Sequence, residues 1–406
     1  MVDLSHMTEN GLSEIPKSEL EMRKAKVDKV LSEKGLEGMI FFSDTSVYYL
    51  TGSSLSQSER PMVYIHRLGA EGSFLVPQLE AEHVYEYAQG CIIAHYPEYP
   101  GIKHPMLFLA DLIKEMGLEK ASLGADMEGS PGIKGYRGPK LGEVCPDLKL
   151  TLMPRMIEEF MMVKSPFEQS LIRESARWGH LTHMLLQEYT KPGLREFELC
   201  DRASSEATRI MLKVLAPRFK LSGYDSRGAT IVFRGQVGAH SYFPHAVATN
   251  TPFKMGDMLV TGASAKILGY GSELERCMFL GEPSKEHRHY YGLVTEARNT
   301  AFTNIKPGKK CSDVDKEVMR FFEEHDLMKH WRHHTGHSLG FLGHEAPFFD
   351  VGDDTTLVPG MVFSVEPGIY VEGLGGFRPS DTVLVTETGC ELITYYTRNI
   401  DELICG

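Results

Sequence analysis

Several features that would assign a protein to a class at once are missing from this sequence of 406 residues. Its seven cysteines are scattered and never form a CxxC pair, which argues against a thiolate zinc site and against a disulfide framework. No run of about 18 apolar residues occurs, and the polar N-terminal segment has no apolar core typical of a secretion signal. We therefore expect a cytoplasmic protein with reduced thiols and no membrane span.

Basic residues are also few. The sequence has 43 Lys and Arg against 55 Asp and Glu, a net charge of −12, and no basic stripe that could neutralise phosphates. Nucleic-acid binding is not expected, and small molecules or peptides are the expected partners. Low-complexity tracts and blocks of one charge are absent as well, while 42% of the residues are hydrophobic and 24% are charged. These proportions are typical of a folded globular chain.

The length predicts two domains, because 406 residues exceed what one ordinary core accommodates. Up to about residue 150, helical and strand-like patterns alternate, as in an α/β domain. A long helical pattern follows, and we place the boundary so that the domains are 1–155 and 156–406. The second domain combines helices with paired strands and is predicted to be α+β. Its helices are predicted at 168–189, 196–214, 286–304 and 311–325.

Two polar segments of the second domain suggest chemistry. His245 ends the string HSYFPH, although a lone histidine is more often a satisfied surface residue. Glu273 and Glu275 are two residues apart on a predicted strand, so their side chains face the same side. Neighbouring carboxylates repel each other, and such a pair tends to hold a proton or a cation.

Two further segments carry histidines and a carboxylate in unusual settings. His333, His337 and His344 lie among glycines, and imidazoles at this density serve as ligands or proton shuttles. Glu366 ends an apolar strand directly before Pro-Gly and would be a poor core residue without a partner. Arg378 follows in the string GFRPSDT. All of these side chains are expected to point into one cleft.

At this point the strings resemble a known family. Residues 256–279 and the strings GHSLG, GHE, PGMVFSVEPGIYV and GFRPSDTVLVTETG are similar, in order and spacing, to the catalytic domain shared by methionine aminopeptidase, proline aminopeptidase, prolidase and creatinase. VYYLTG near Tyr48 resembles the N-terminal domain of the prolidase, proline aminopeptidase and creatinase branch. The resemblance implies a pita-bread catalytic domain, an antiparallel sheet with helices and internal pseudo-symmetry, preceded by a smaller α/β domain.

The family's metal ligands are only partly present. The family's set of Asp, Asp, His, Glu and Glu falls on Gly262, Glu273, His337, Glu366 and Ser380. Two positions therefore lack a carboxylate, and neither glycine nor serine can bridge two ions. We expect no dinuclear centre.

The departures run parallel to creatinase, the family's metal-free member, whose Leu-Glu-Arg string matches Leu274-Glu275-Arg276. The first hypothesis is therefore a hydrolase without cofactor that cleaves a C–N bond in a small cationic or amidine-like compound, with or without a carboxylate. The resemblance makes His245 the acid-base catalyst and Arg60 a carboxylate anchor. The second carboxylate-binding arginine of creatinase has no counterpart, so creatine itself is not the expected substrate. The expected catalytic residues are His245, Glu275, Glu366 and His337, and the expected substrate contacts are Arg60, Glu273, His333, His344 and Arg378.

Two alternatives remain open. One is a metal-dependent Xaa-Pro dipeptidase or aminopeptidase that holds a single zinc or manganese ion on Glu273, His337 and Glu366, since one histidine and two carboxylates form an acceptable open set. The other is a lyase or a binding protein without hydrolytic activity. The resemblance further implies a homodimer, in which Arg60 from one N-terminal domain completes the site of the partner subunit.

Overall fold

The computed structural model describes residues 14–406 except 57, 89, 130–133 and 216–227. The chain divides into two compact units, Glu14–Phe160 and a second one that contains Met161–Gly406. The predicted boundary after residue 155 precedes this division, and the domain limits themselves stay a prediction. Within the described ranges, no helix is long and apolar enough to cross a membrane.

The N-terminal unit is built on one mixed sheet. Its helices are α1 (Lys17–Lys34), α2 (Asp44–Thr51), α3 (Gln78–Tyr87), α4 (Pro105–Glu115) and α5 (Leu141–Val144). Its strands are β1 (Gly38–Phe41), β2 (Val63–Arg67), β3 (Ser73–Pro77), β4 (Ile92–Tyr96), β5 (Ser122–Ala125) and β6 (Lys149–Leu152). They form one sheet in the order β4-β3-β2-β1-β5-β6. β1 and β2 are buried almost throughout, as inner strands covered on both faces should be.

The C-terminal unit follows a short helix, α6 (Met156–Met161), at the division. Its longer helices are α7 (Pro166–Tyr189), α8 (Glu196–Leu215), α9 (Lys285–Asn304) and α10 (Cys311–Glu324). Its first strands are β7 (Ala229–Val232), β8 (Met258–Val260), β9 (Gly262–Ala265), β10 (Leu274–Glu275), β11 (Cys277–Leu280), β12 (Gly336–Ser338) and β13 (Glu345–Phe349). The remaining strands are β14 (Val362–Val365), β15 (Ile369–Val371), β16 (Gly375–Phe377), β17 (Ser380–Val385), β18 (Cys390–Leu392) and β19 (Ile404–Cys405).

The strands of this unit are mostly antiparallel. The largest sheet has the order β13-β12-β14-β17-β10-β9-β7, with β18 also paired to β17. Smaller sheets join β19, β11 and β8, and β15 to β16. Helices beside antiparallel strands confirm the predicted α+β class, with the core between the helices and the sheets.

The start of helix α7 is fixed by residues that the sequence places there. Ser165 accepts a hydrogen bond from the backbone nitrogen of Glu168, and Glu168 accepts one from the backbone of Ser165. This reciprocal cap fixes the start of the helix, and Pro166 at its first position already has the required backbone angle. The predicted helix began only two residues later, at Glu168.

Strand pairing brings distant segments together in the large sheet. In the β10–β17 pair, Glu275 lies opposite Ser380, and in the β14–β17 pair, Val365 lies opposite Asp381. β12 in turn pairs with β14. Because neighbouring strands are about 4.8 Å apart, residues on β12, at the end of β14 and on β10 can meet in one cluster.

Candidate metal centre

Three side chains converge beside the large sheet. Glu273 precedes β10, His337 lies on β12 and Glu366 follows β14. One ligand atom from each of these residues lies within 4.8 Å of the ligand atoms of the other two. The backbone of Glu273 is fixed by two hydrogen bonds of 2.8 Å with the hydroxyl of Thr382. The backbone nitrogen of Glu366 donates to the carbonyl of Thr335 at 2.8 Å. Two carboxylates and one imidazole are thus held at fixed positions.

The orientation of His337 determines what this cluster can bind. Its Nδ1 lies 3.0 Å from the carbonyl oxygen of Ser338, which can only accept, so Nδ1 carries the proton. Its Nε2 is buried and has no hydrogen-bond partner among the described residues, although it lies 3.1 Å from Oε1 of Glu366 and 3.9 Å from Oε2 of Glu273. A lone pair facing two carboxylates needs a positive charge between them, either a proton or a metal ion.

The pKa values of the three residues also indicate that the cluster favours a bound proton or cation. Burial alone would lower the pKa of His337, but the carboxylates of Glu366 and Glu273 raise it to about 9. Burial, followed by repulsion from Glu366 and Glu275, raises the pKa of Glu273 to about 7. Glu366 behaves differently: burial opposes its ionisation, yet the nearby His337 and Arg378 hold its pKa below the usual range. The cluster stabilises positive charge near Nε2 of His337.

Glu275 lies next to this triad but has other partners. Arg378 donates to it through Nε at 2.8 Å and through Nη2 at 2.9 Å, and Arg234 forms a second ion pair with its Oε1. Burial raises the pKa of the Glu275 carboxyl group, and the guanidinium groups of Arg378 and Arg234 oppose that effect. Arg378 also lies 3.5 Å from Glu366. The charge of Glu275 is therefore already compensated within the protein.

The two positions that lack a family carboxylate are filled differently. A Cβ at Gly262 would lie 3.2 Å from Oε1 of Glu275, so the Glu275 side chain occupies the space in front of this glycine. The hydroxyl of Ser380 donates to Oε1 of Glu273 at 2.7 Å. These positions provide no bridging carboxylate, and the neighbouring Glu275 is engaged by arginines.

The remaining predicted histidines surround the triad or lie at its edge. His344 stacks on His337, with ring centroids 3.7 Å apart. Nδ1 of His333 contacts the carbonyl of His334 at 2.9 Å, so its Nε2 accepts a hydrogen bond of 2.8 Å from the hydroxyl of Tyr370. Burial lowers the pKa of both His333 and His344. Both rings are therefore neutral at physiological pH.

His245 lies at the edge of this cluster, where its charge adds to the effect of burial in lowering the pKa of His344. The His245 side chain is exposed, and the carbonyl of the preceding Pro244 accepts a weak hydrogen bond of 3.4 Å from Arg378. Arg60 belongs to the N-terminal unit, where it pairs with Glu98 at 2.7 Å and with Glu59 at 2.5 Å.

Sequence reasoning did not assign roles to Arg234 and Tyr370. Arg234 follows β7 with a positive φ of 53°, and Tyr370 lies on β15, within the string PGMVFSVEPGIYV. An Arg-Gly pair at the end of a predicted strand is a turn signal that could have drawn notice to Arg234. No local pattern marks Tyr370, because its contact with His333 arises only in the folded chain.

The donor set is suitable for one divalent ion. One imidazole nitrogen and two carboxylates, with further coordination positions open, form a ligand set used for zinc and manganese. The carbonyl of Ser338 orients the imidazole in the way typical of metal-binding histidines. The described residues offer one such group of ligands.

Models of two protein families match the chain. The model of metallopeptidase family M24 matches residues 170–387, and that of the creatinase/prolidase N-terminal domain matches residues 23–160. Fold and site thus define a hydrolase with a creatinase-type N-terminal domain and a pita-bread catalytic domain. The chain belongs to metallopeptidase family M24, which confirms the family indicated by the sequence motifs.

Individual relatives match over nearly the whole chain. The chain is 27% identical over 378 residues to an Xaa-Pro dipeptidase of Pyrococcus furiosus, covering 93% of this chain and 99% of the relative. It is 25% identical over 382 residues to an uncharacterized peptidase of Bacillus subtilis, again covering 93% and 99%. The solved structure of an Xaa-Pro dipeptidase from Bacillus anthracis matches with a TM-score of 0.78 at 23% identity, covering 95% of this chain and 99% of that one. This last likeness shows a shared fold.

Two expectations from the sequence are wrong. The family is one of metallopeptidases, and the relatives that match over most of the chain include Xaa-Pro dipeptidases, which contradicts a creatinase-like hydrolase that works without metal. The expectation of no cofactor fails for the same reason. Both expectations treated the loss of two metal ligands as the loss of the whole metal centre. Glu273, His337 and Glu366 nevertheless still converge on one point.

Proposed function

We propose that this chain is a metal-dependent peptidase that cleaves Xaa-Pro dipeptides and binds one divalent ion on Glu273, His337 and Glu366. The observation that carries the proposal is the buried Nε2 of His337, which faces two carboxylates without a hydrogen-bond partner among the described residues. The Xaa-Pro dipeptidases among the full-length relatives support the choice of substrate. Zinc and manganese are the ions that suit this donor set.

When bound, a divalent ion supplies Lewis-acid polarisation of the peptide carbonyl. The side chains of the protein set the conditions for that chemistry. Arg378 remains protonated and holds Glu275 and Glu366 in place, so that the carboxylate of Glu366 keeps facing His337. Ser380 holds one oxygen of Glu273 by a hydrogen bond, which leaves the second oxygen directed toward His337. The ligands are therefore pre-organised.

The histidines that do not bind the ion are proposed to contact the peptide. The stacking of His344 on His337 places a neutral imidazole beside the ligand set, where it can hydrogen-bond a peptide carbonyl or amide. The exposed His245 can reach the substrate from the edge of the site and exchange a proton with it. His333 is held by Tyr370 and is proposed to orient the substrate.

The metal content of the purified protein tests this proposal. We expect chelator treatment to abolish hydrolysis of Ala-Pro, and zinc or manganese to restore it at a stoichiometry of one ion per chain. The reason for a single ion is that Gly262 and Ser380 provide no bridging carboxylate and that Glu275 is engaged by Arg378. Elemental analysis combined with a peptidase assay makes the measurement. Activity that survives complete removal of metal, or two tightly bound ions per chain, would contradict the proposal.

We also infer a homodimer in which Arg60 contributes to the site of the partner subunit. The support is the family resemblance of the N-terminal domain, which the domain match at residues 23–160 strengthens. Arg60 already pairs with Glu59 and Glu98, so a role in substrate binding requires exchange of these partners. Light scattering at micromolar concentration should give twice the mass of the chain. A monomer would refute this inference and leave the proposed chemistry intact.

A further inference from the structure

The cluster around Glu275 contains more positive charge than this carboxylate requires. A single guanidinium can satisfy a carboxylate through two parallel hydrogen bonds, and Arg378 does so with distances of 2.8 and 2.9 Å. Arg234 nevertheless forms a second ion pair with the same carboxylate. With one divalent ion bound, the carboxylates of Glu273, Glu275 and Glu366 face two guanidiniums and the ion, so one positive charge is in excess.

The two arginines differ in their capacity to bind anything else. The side chain of Arg378 is 3% exposed and contacts Glu275, Glu366 and the carbonyl of Pro244. The side chain of Arg234 is 40% exposed. An arginine has five N–H donors, and one of those of Arg234, on Nη2, contacts Glu275. Arg234 therefore presents donors to solvent beside Glu275, the carboxylate next to the triad.

The backbone holds Arg234 in this position. Arg234 and the following Gly235 both have positive φ angles, 53° and 70°, a conformation that is unfavourable for a residue with a side chain. Gly235 donates to Glu196 at 3.1 Å and accepts from His240 at 2.8 Å. Any side chain at Gly235 would collide with the carbonyl of Val247. The surrounding residues thus fix the turn, which reduces the entropy that Arg234 loses on binding a ligand.

The same turn is joined to the segment that carries His245. The side-chain nitrogen of Gln236 donates to the carbonyls of Phe243 and Pro244 at 3.4 and 3.2 Å. Arg378 donates to the carbonyl of Pro244 as well. These hydrogen bonds therefore connect the segments that carry Arg234, Arg378 and His245.

We propose that Arg234 binds the free C-terminal carboxylate of the substrate and thereby restricts the site to dipeptides, an inference that rests on the proposed function. In a dipeptide, this carboxylate is one residue, about 4 Å, from the bond to be cleaved. Its binding partner must therefore belong to the same cluster as the metal ligands. Arg234 meets this requirement, is exposed and carries the excess charge, whereas Arg60 already pairs with two carboxylates.

The test compares Ala-Pro with its C-terminal amide, which differs in the negative charge. We expect wild-type protein with its metal to favour the acid by about 10- to 100-fold in kcat/KM, the effect of one charged hydrogen-bonded pair. In Arg234→Met the ratio of kcat/KM for the acid to kcat/KM for the amide should fall toward one. The change should occur chiefly in KM, because the contact is made in both the ground state and the transition state. Arg234→Lys should keep part of the preference, since it retains the charge but not the planar fork. Arg320→Met removes an exposed arginine of α10 and serves as the matched control.

Calorimetric binding of both peptides to the zinc-loaded protein, in which the cluster carries its excess positive charge, separates this inference from the proposed function. Tighter binding of Ala-Pro than of its amide, with the difference lost in Arg234→Met and retained in Arg320→Met, supports the role of Arg234 even if no peptide is hydrolysed. In that case the proposed function alone fails. Equal or undetectable binding of the acid and the amide by the wild-type protein, or an unchanged preference in Arg234→Met, overturns the inference. Circular dichroism verifies that each variant is folded.

Discussion

His337→Ala is expected to lower kcat/KM for an Xaa-Pro dipeptide by about 10³-fold or more, because it removes the single nitrogen ligand of the proposed ion. The two carboxylates of Glu273 and Glu366 would remain, but they would lose the imidazole that lies 3.1 Å from Glu366. We also expect the variant to lose its stoichiometric metal. Elemental analysis and steady-state kinetics on the same preparation measure both effects.

His289→Ala is the matched control, since His289 is an exposed residue of α9. It should keep the metal and the activity of the wild-type protein. Glu366→Gln tests another proposed ligand of the same ion, because it preserves the shape of the side chain and removes its charge. If His337→Ala keeps more than about a tenth of the wild-type activity, His337 is not a metal ligand required for catalysis.

Asp381→Asn is expected to cause the largest loss of stability. Asp381 is fully buried and accepts hydrogen bonds from Arg276 at 2.8 Å, from Arg298 at 3.0 Å and from Arg398 at 3.1 Å. The Arg276 and Arg298 side chains are fully buried too. Replacing the carboxylate leaves two buried guanidiniums without a counterion, which typically costs about 3–5 kcal/mol. Urea unfolding of the metal-free protein measures the change in the free energy of unfolding.

The same aspartate should contribute to acid unfolding. Burial alone would raise the pKa of Asp381, but Arg276, Arg298 and Arg398 lower it from 3.8 to about 2. A lowered pKa in the folded state gives a stabilisation that is complete above the ordinary value and is lost as the pH falls through the lowered one. This contribution should therefore decline between about pH 4 and about pH 2, and it should be missing in Asp381→Asn.

Asp401→Asn provides the comparison for a surface pair. Asp401 accepts from Arg288 at 2.7 Å, and its side chain is 62% exposed. Exposed pairs of this kind contribute about 0–1 kcal/mol. A similar small effect for Asp381→Asn would show that the buried arginine cluster does not depend on its carboxylate.

Regular elements with clear periodicity were predicted well. The predicted helix at 196–214 agrees with α8 within one residue, because its apolar positions recur at helical spacing and face the core. α2 was missed, since six of its eight residues, including Val47 and Leu50, are buried, and a short segment buried on nearly all sides has no periodic pattern. The strand predicted through Glu273 begins only at Leu274.

Site residues that lie in short sequence motifs could be predicted. Contacts between residues far apart along the chain could not. The strings around His337 and Glu366 drew attention to these residues without any structure. The partners of Glu275 could not be foreseen, because Arg234 is 41 residues away and Arg378 is 103 residues away along the chain. The spacing of Glu273 and Glu275 suggested a pair of carboxylates that holds a proton or a cation. In the folded chain, the carboxylate of Glu275 is already neutralised by two arginines.

Anomalous diffraction from crystals of manganese- or zinc-loaded protein, recorded at the absorption edge of the metal, tests the one-ion centre most directly. A one-ion centre predicts a single strong peak per chain, bound by Glu273, His337 and Glu366, with Glu275 still paired to Arg378. Two peaks bridged by carboxylates, or no peak among these three residues in a protein that hydrolyses Xaa-Pro dipeptides, would contradict it.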